Sequence, residues 1–286
     1  MRRYMPKMRT RNTPELPFMK MHGLGNDFVV IDARAQPTDL SPILVQAIAD
    51  RHFGVGFDQL VVIGPGDTDS DAHMTFYNAD GTTAQACGNA SRCVARYLMD
   101  KENRDDLRLK TARGVLLARD AGNGLTCVNM GEPMLRWDQI PLAHEMNTLN
   151  LPIDGDPVAT GMGNPHCTFF VKDAQAVALE NLGPTIENHP LFPERTNVQV
   201  AHLVGKDHIR MRVWERGVGI TLASGSSSCA TAVAAARRGL TGRAVRIDLD
   251  GGTLDIDWRK DGVWMTGPST HVFSGSLTSA FLDGTA

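Results

Sequence analysis

Met74-Thr75-Phe76-Tyr77-Asn78 is followed by Ala86-Cys87-Gly88-Asn89, and Met211-Arg212-Val213-Trp214-Glu215 is followed by Ala223-Ser224-Gly225-Ser226. From Met74 to Met211, and again from Ala86 to Ala223, the spacing is 137 residues. Two earlier segments repeat in the same order. Gly23-Leu24-Gly25-Asn26 returns as Gly161-Met162-Gly163-Asn164, and Phe28-Val29-Val30-Ile31-Asp32-Ala33 as Phe169-Phe170-Val171-Lys172-Asp173-Ala174. Four ordered matches at nearly constant spacing point to two copies of one half-fold. The period is far too long for a solenoid repeat. The division falls near Gly131–Pro133. Residues 17–131 then form the half carrying Cys87, and residues 132–270 the half carrying Ser224. Residues 271–286 are expected to return to the first half. In residues 1–16, Arg2, Arg3, Lys7, Arg9 and Arg11 stand against Glu15 with no apolar run behind them. This reads as a disordered leader rather than a signal peptide.

Working outward, Phe28–Asp32 and Leu60–Ile63 are short β-branched or aromatic runs bounded by turn residues, which predicts strands. His73–Tyr77 and Ile209–Trp214 alternate like half-buried strands, and Asn78-Ala79-Asp80-Gly81 has turn chemistry. Each Cys/Ser-Gly step leads into small and apolar residues: Ala90–Leu98 in the first half, Cys229–Ala236 in the second, the latter closed by Arg237, Arg238 and Gly239. Both predict helices. The second is apolar nearly all round, which suits a helix enclosed by a curved sheet. The fold class is therefore α/β (α+β), with two pseudo-symmetric duplicated domains.

The chain has 286 residues, of which 42% are hydrophobic and 21% charged, the composition of a globular protein of two ordinary domains. A net charge of -3 gives no reason to expect nucleic acid, and no apolar run is long enough for a membrane span. Five cysteines without a signal peptide predict free thiols in a reducing, cytoplasmic setting. The cysteines and histidines lack metal-ligand spacing, so no metal is expected.

A thiol placed directly before a helix sits in the positive field of unpaired N–H groups. That field is expected to lower its pKa toward neutrality. The same N–H groups suit a carboxylate, and the glycine after the thiol allows a close approach. Two such units facing each other would hold one substrate carboxylate between two helix ends, with a side chain on either face of its α-carbon. That is the requirement of a two-base racemase, in which one group removes a proton and the opposite one returns it. Cys93, Cys127, Cys167 and Cys229 read instead as buried small hydrophobes. His22 and His166, lone histidines beside the two Gly-x-Gly-Asn turns, read as structural.

The chain resembles the diaminopimelate epimerase family at Phe18-Met19-Lys20-Met21-His22-Gly23-Leu24-Gly25-Asn26-Asp27-Phe28, Gly54-Val55-Gly56-Phe57-Asp58-Gln59-Leu60 and Ala86–Cys93. The likeness continues through Gly163-Asn164-Pro165-His166-Cys167, Arg195-Thr196-Asn197-Val198 and Glu215-Arg216-Gly217-Val218-Gly219. This resemblance implies a barrel-like sheet around a central helix in each domain, an active site between the domains, a homodimer, and no cofactor. It implies LL-diaminopimelate as the small-molecule substrate, with Cys87 as the base acting on the LL isomer. Asn26, Gln59, Asn78, Asn164, Asn197, Glu215 and Arg216 match the family's substrate contacts, while Gly88, Asn89, Gly225 and Ser226 would donate N–H groups to the reacting carboxylate. The distal end of that substrate is a zwitterion, for which Arg216 and Glu215 are chemically apt.

The sequence departs from the family where Ser224 replaces the second catalytic cysteine, a neutral hydroxyl being a far weaker acid than a thiol and, with no obvious base partner, a far weaker base. Ile220 also stands where the family often has glutamate. An impaired epimerase is the main reading. A dehydratase of hydroxy amino acids, related to proline racemase and using Cys87 as base, and a non-catalytic ligand-binding paralogue stay open beside it.

Overall fold

The structure is a computed structural model that describes residues 13–84 and 87–285. The first half runs through β1 (Leu16–Gly23), β2 (Asn26–Asp32), α1 (Pro42–Ala49), β3 (Gln59–Asp67), β4 (Ser70–Asn78), β5 (Thr83–Ala84), α2 (Gly88–Glu102), β6 (Asp106–Thr111), β7 (Gly114–Asp120) and β8 (Leu125–Asn129). The second repeats that order: β9 (Val158–Gly161), β10 (Pro165–Phe170), α3 (Leu179–Glu187), β11 (Asn197–Gly205), β12 (His208–Glu215), β13 (Gly219–Thr221), α4 (Gly225–Arg237), β14 (Ala244–Leu249), β15 (Gly252–Arg259) and β16 (Gly262–Pro268). Strand β17 (Thr270–Leu277) and α5 (Ser279–Gly284) follow.

The pairings repeat as well. β2 and β3 run parallel, as do β10 and β11. β4 and β6 run parallel, as do β12 and β14. The halves join through antiparallel β8 and β16, with Val128 opposite Met265. Met265 lies 137 residues after Val128, so two equivalent residues face each other and the pair marks a local two-fold axis. The chain also crosses over reciprocally. β17, which follows β16, lies antiparallel on β1 from Leu277 opposite Leu16 to Thr270 opposite His22. Met134, which follows β8, bridges to Gly161 at the end of β9.

Helix α4 is enclosed because its residues leave little polar surface; α2 buries Asn89 to Ala95, Leu98 and Met99 and exposes its last turn, Asp100 to Glu102. Ala90, Cys93, Val94 and Leu98 of α2 join Cys229, Ala230 and Val233 of α4 in one core cluster with Val128 and Met265. Outside the first sheet α1 packs Val45 and Ile48 on Val29, Ile31, Leu60 and Val62; outside the second, α3 packs Leu179 and Ile186 on Phe169, Val198 and Val200. Central strands therefore bury both faces and read as continuous apolar runs, not as alternation.

The predicted strands and helices are present, each extended by two to six residues. Residues 13–16, assigned to the leader from the sequence, are part of the fold. Leu16 is already in β1, and the Thr13 hydroxyl donates to the Asp283 carboxylate of α5, tying Thr13 to the returning C-terminal segment. Residues 1–12 lie outside the described residues. Among the described residues no helix is long and apolar enough to cross a membrane, and no group of three or more His, Cys, Asp or Glu is placed to hold a metal ion.

Candidate active site

Cys87 and Ser224 occupy the N-cap positions of α2 and α4 with nearly the same backbone, φ -145 and ψ 113 against φ -136 and ψ 116. In each, the hydroxyl four residues on bonds back to the cap carbonyl: Ser91 Oγ to Cys87 O at 2.8 Å, Ser228 Oγ to Ser224 O at 2.9 Å. Neither cap side chain closes its own helix. Ser41 does so for α1, accepting from Leu44 N at 3.2 Å. An N-cap bond of that kind contributes about 1 kcal/mol, so its omission at both α2 and α4 leaves first-turn N–H groups open to an anion.

The two helix ends meet. A Cβ placed on Gly88 would lie 2.8 Å from Met130 Cε and 3.1 Å from Met265 Cε, and one on Gly225 would lie 2.8 Å from Met265 Sδ. Glycine at both positions leaves room for the side chain on the axis. The Asn89 amide bridges the halves, donating to Asn26 Oδ1 at 3.2 Å and to the Ala223 carbonyl at 3.4 Å.

Around these ends the remaining residues fall into equivalent places. Asn26 donates to Asp58 Oδ2 at 2.8 Å, and Arg51 ties Asp58 to Asp27. Asn164 Oδ1 lies 2.8 Å from His166 Nε2. His166 is fully buried, and burial together with the charges of Arg216 and Arg113 pushes its pKa down to about 3. It is therefore neutral, donating through Nε2 to Asn164 and accepting through Nδ1 from Gln199 Nε2 at 3.0 Å. That places His166 behind Asn164 as a support. Gln59 donates to Asn78 Oδ1 at 3.0 Å, and Asn78 donates to Thr82 Oγ1 at 3.0 Å. Asn197 accepts from the Arg216 backbone N–H at 3.0 Å and donates to Pro165 O, while the Arg216 guanidinium donates to the Glu194 carbonyl.

Two expectations are corrected. Burial pushes the half-buried Cys87 thiol up to about 11, and the Glu215 carboxylate adds to the rise; the N–H groups of Ala90 and Asn89 and the Arg92 charge pull the other way. Desolvation thus outweighs the helix field that was expected to bring the thiol toward neutrality. Ser224, read from the sequence as lacking a partner base, has one: its hydroxyl donates to Glu215 Oε2 at 2.9 Å, while Thr221 donates to Oε1 at 2.6 Å. Burial raises the Glu215 pKa against the pull of those two hydrogen bonds. Sequence reasoning missed Thr221, Asp58, Met265 and Arg92. The motif Gly54–Leu60 contained Asp58, but nothing in it announced the reach to Asn26. Cys93, Cys167 and Cys229 are fully buried and Cys127 nearly so.

The diaminopimelate epimerase family model matches residues 18–135 and 158–272. The chain belongs to the diaminopimelate epimerase family. It is 53% identical over 273 residues to the diaminopimelate epimerase of Rhodospirillum centenum, covering 93% of this chain and 94% of the relative. It is 49% identical over 263 residues to that of Zymomonas mobilis, covering 90% and 96%. Among solved structures, a hydroxyproline epimerase from Agrobacterium vitis matches at a TM-score of 0.67 with 14% identity over 94% of each chain. A phenazine biosynthesis protein from Bacillus anthracis matches at 0.66 with 13% identity, covering 93% of this chain and 99% of that one. These structures share the duplicated fold.

Proposed function

We propose that this chain, an amino-acid isomerase by family, interconverts LL- and meso-diaminopimelate without a cofactor, and that Ser224 slows the inversion. The observation that carries this reading is the pair of matched caps, Cys87 and Ser224. They share one backbone conformation, leave their helix N–H groups open, and meet at one methionine. The α-carboxylate would lie between the first turns of α2 and α4, accepting from the N–H groups of Gly88, Asn89, Gly225 and Ser226. Cys87 then stands on one face of the α-carbon and Ser224 on the other.

In the LL direction Cys87 Sγ takes the α-proton, and the two helix ends stabilise the charge that develops on the carboxylate and α-carbon. Because burial keeps the Cys87 thiol protonated, it must first give that proton to solvent, as substrate enters, before the thiolate can take the α-proton. Inversion then requires a proton from the Ser224 side. The hydroxyl can give one only if it is resupplied, and the Glu215 carboxyl bonded to it is the available source. Burial raises the Glu215 pKa, which eases its uptake of the proton this relay needs, and the Ser224 hydroxyl, which donates to Glu215 before the reaction, must then turn to accept from it. Asn26, Asn164, Gln59, Asn78 and Asn197 supply amide groups for the rest of the substrate, and Arg216 supplies a cation for the distal carboxylate.

The test is the half-reaction. LL-diaminopimelate in deuterated water should lose its α-proton faster than meso isomer forms, since return from Cys87 retains configuration and delivery from Ser224 is slow. Chiral separation with mass spectrometry reads both. Equal rates would show that Ser224 is an adequate acid. Binding without either event would overturn catalysis by this chain.

A further inference from the structure

Arg92 is fully buried in the first half of α2 and has no counterpart in the duplication, since the equivalent position is Cys229, small and also fully buried. Its Nη1 donates to Asn89 Oδ1 at 2.9 Å and approaches Met265 Sδ at 3.3 Å, and its Nη2 approaches the Pro268 carbonyl at 3.5 Å. Nε has no partner, and no carboxylate pairs with the guanidinium among the described residues. Glycines make room for it: a Cβ on Gly23 would lie 2.9 Å from Nη2, and one on Gly267 would lie 3.4 Å from Nε.

Two physical arguments bear on this side chain. A position beside a two-fold axis has space for one large group, so its duplicate must shrink, as Cys229 does. An unpaired buried cation is also costly unless an anion answers it at some stage. The anions available here are those of the reaction itself. The bond to Asn89 Oδ1 fixes which way that amide points, and hence directs its N–H groups to Asn26 and to the carbonyl preceding Ser224.

We propose that Arg92 is a positioning residue and the fixed counter-charge of the site. It orients Asn89 and holds one positive charge beneath both helix ends, against which the Cys87 thiolate and the reacting carboxylate are stabilised. The proposal rests on the proton-transfer reading above. The groups that bear on Cys87 are Glu215 from β12, which opposes its ionisation, and Arg92 from its own helix, which favours it. Burial lowers the Arg92 pKa, and the thiols of Cys93 and Cys87 from α2 and of Cys229 from α4 oppose that fall.

The measurement is the pH profile of Cys87 alkylation by iodoacetamide, followed on the Cys87 peptide, in Arg92→Met, Arg92→Gln and Arg92→Lys. In Arg92→Met and Arg92→Gln the midpoint should rise by about one pH unit or more. The rate constant for α-proton exchange should fall at least ~10-fold with a smaller change in KM. Arg92→Lys should recover part of both. Arg92→Met should melt no lower than the parent, because it removes an unpaired buried charge at similar volume. A folded Arg92→Met or Arg92→Gln with the parental midpoint and exchange rate overturns the proposal; should Met fail to fold, Gln decides. Alkylation needs no substrate, so a shifted midpoint in a protein that never exchanges diaminopimelate would sustain the counter-charge and sink the reaction.

Discussion

The Cys87 end and the Ser224 end of the site share backbone, neighbouring hydroxyls and glycines, yet differ in the residue that ends β4 and its equivalent β12. In the first half the residue ending β4 is Asn78, engaged with Gln59 and Thr82. In the second the residue ending β12 is Glu215, engaged with Ser224 and Thr221. Duplication conserved the scaffold while the chemistry diverged. One end presents a thiol near a carboxylate that opposes its ionisation; the other presents a hydroxyl bonded to that same carboxylate. The halves are thus equivalent in geometry and inequivalent as acids.

The comparison can be broken most sharply by making the ends chemically alike. Ser224→Cys should raise LL-to-meso conversion by ~10²–10⁴-fold, the usual contribution of a well-placed general acid. Equal inversion rates for the two proteins, measured by chiral chromatography, would remove position 224 from the reaction. A second asymmetry is Arg216, which has no cationic counterpart at Ala79. Arg216→Ala should weaken diaminopimelate binding by about 2–4 kcal/mol by leaving the distal carboxylate unpaired. Calorimetry on the folded variant checks this, and unchanged affinity would exclude Arg216 from the site.

The smallest expected effect concerns stability. Burial raises the Glu215 pKa in the folded state, so folding favours the protonated carboxyl. Its contribution is fully present below the unfolded value and is lost as pH rises through the folded one. Glu215→Gln, which never ionises, should therefore melt a few degrees higher than the parent at about pH 8. The gap should close toward about pH 4. A gap that widens on acidification would mean that the two hydrogen bonds to Glu215, and not its burial, dominate.

Much of this arrangement was legible in the chain because duplication prints each motif twice. The repeated Gly-x-Gly-Asn turns, the two Cys/Ser-Gly steps and the alanine-rich run of α4 located the helices and the central side chains. What stayed hidden depends on contacts between distant segments. Arg92 reads locally as a polar position on a helix, and only the enclosing sheets show that it is buried. The thiol pKa is a contest between a helix field, visible in sequence, and desolvation, which is not. The reach from Glu215 to Ser224 spans a turn whose direction no local pattern specifies. β17 was anticipated only as a returning segment, and its full pairing with β1 emerges from the register.

The reciprocal crossing also constrains how such a molecule could have arisen. Each half takes a backbone partner from the segment that trails the other, β17 on β1 and Met134 on the end of β9. A stand-alone half would expose a hydrogen-bonding edge and carry a tail with nowhere of its own to lie. Two copies would satisfy each other by exchanging tails. The present chain has the arrangement that fusing such a strand-exchanged dimer would give: the exchange is kept, and the linker removes only its dependence on concentration. A cut in the linker between β8 and β9 should accordingly leave two fragments that stay together, each still wearing part of the other.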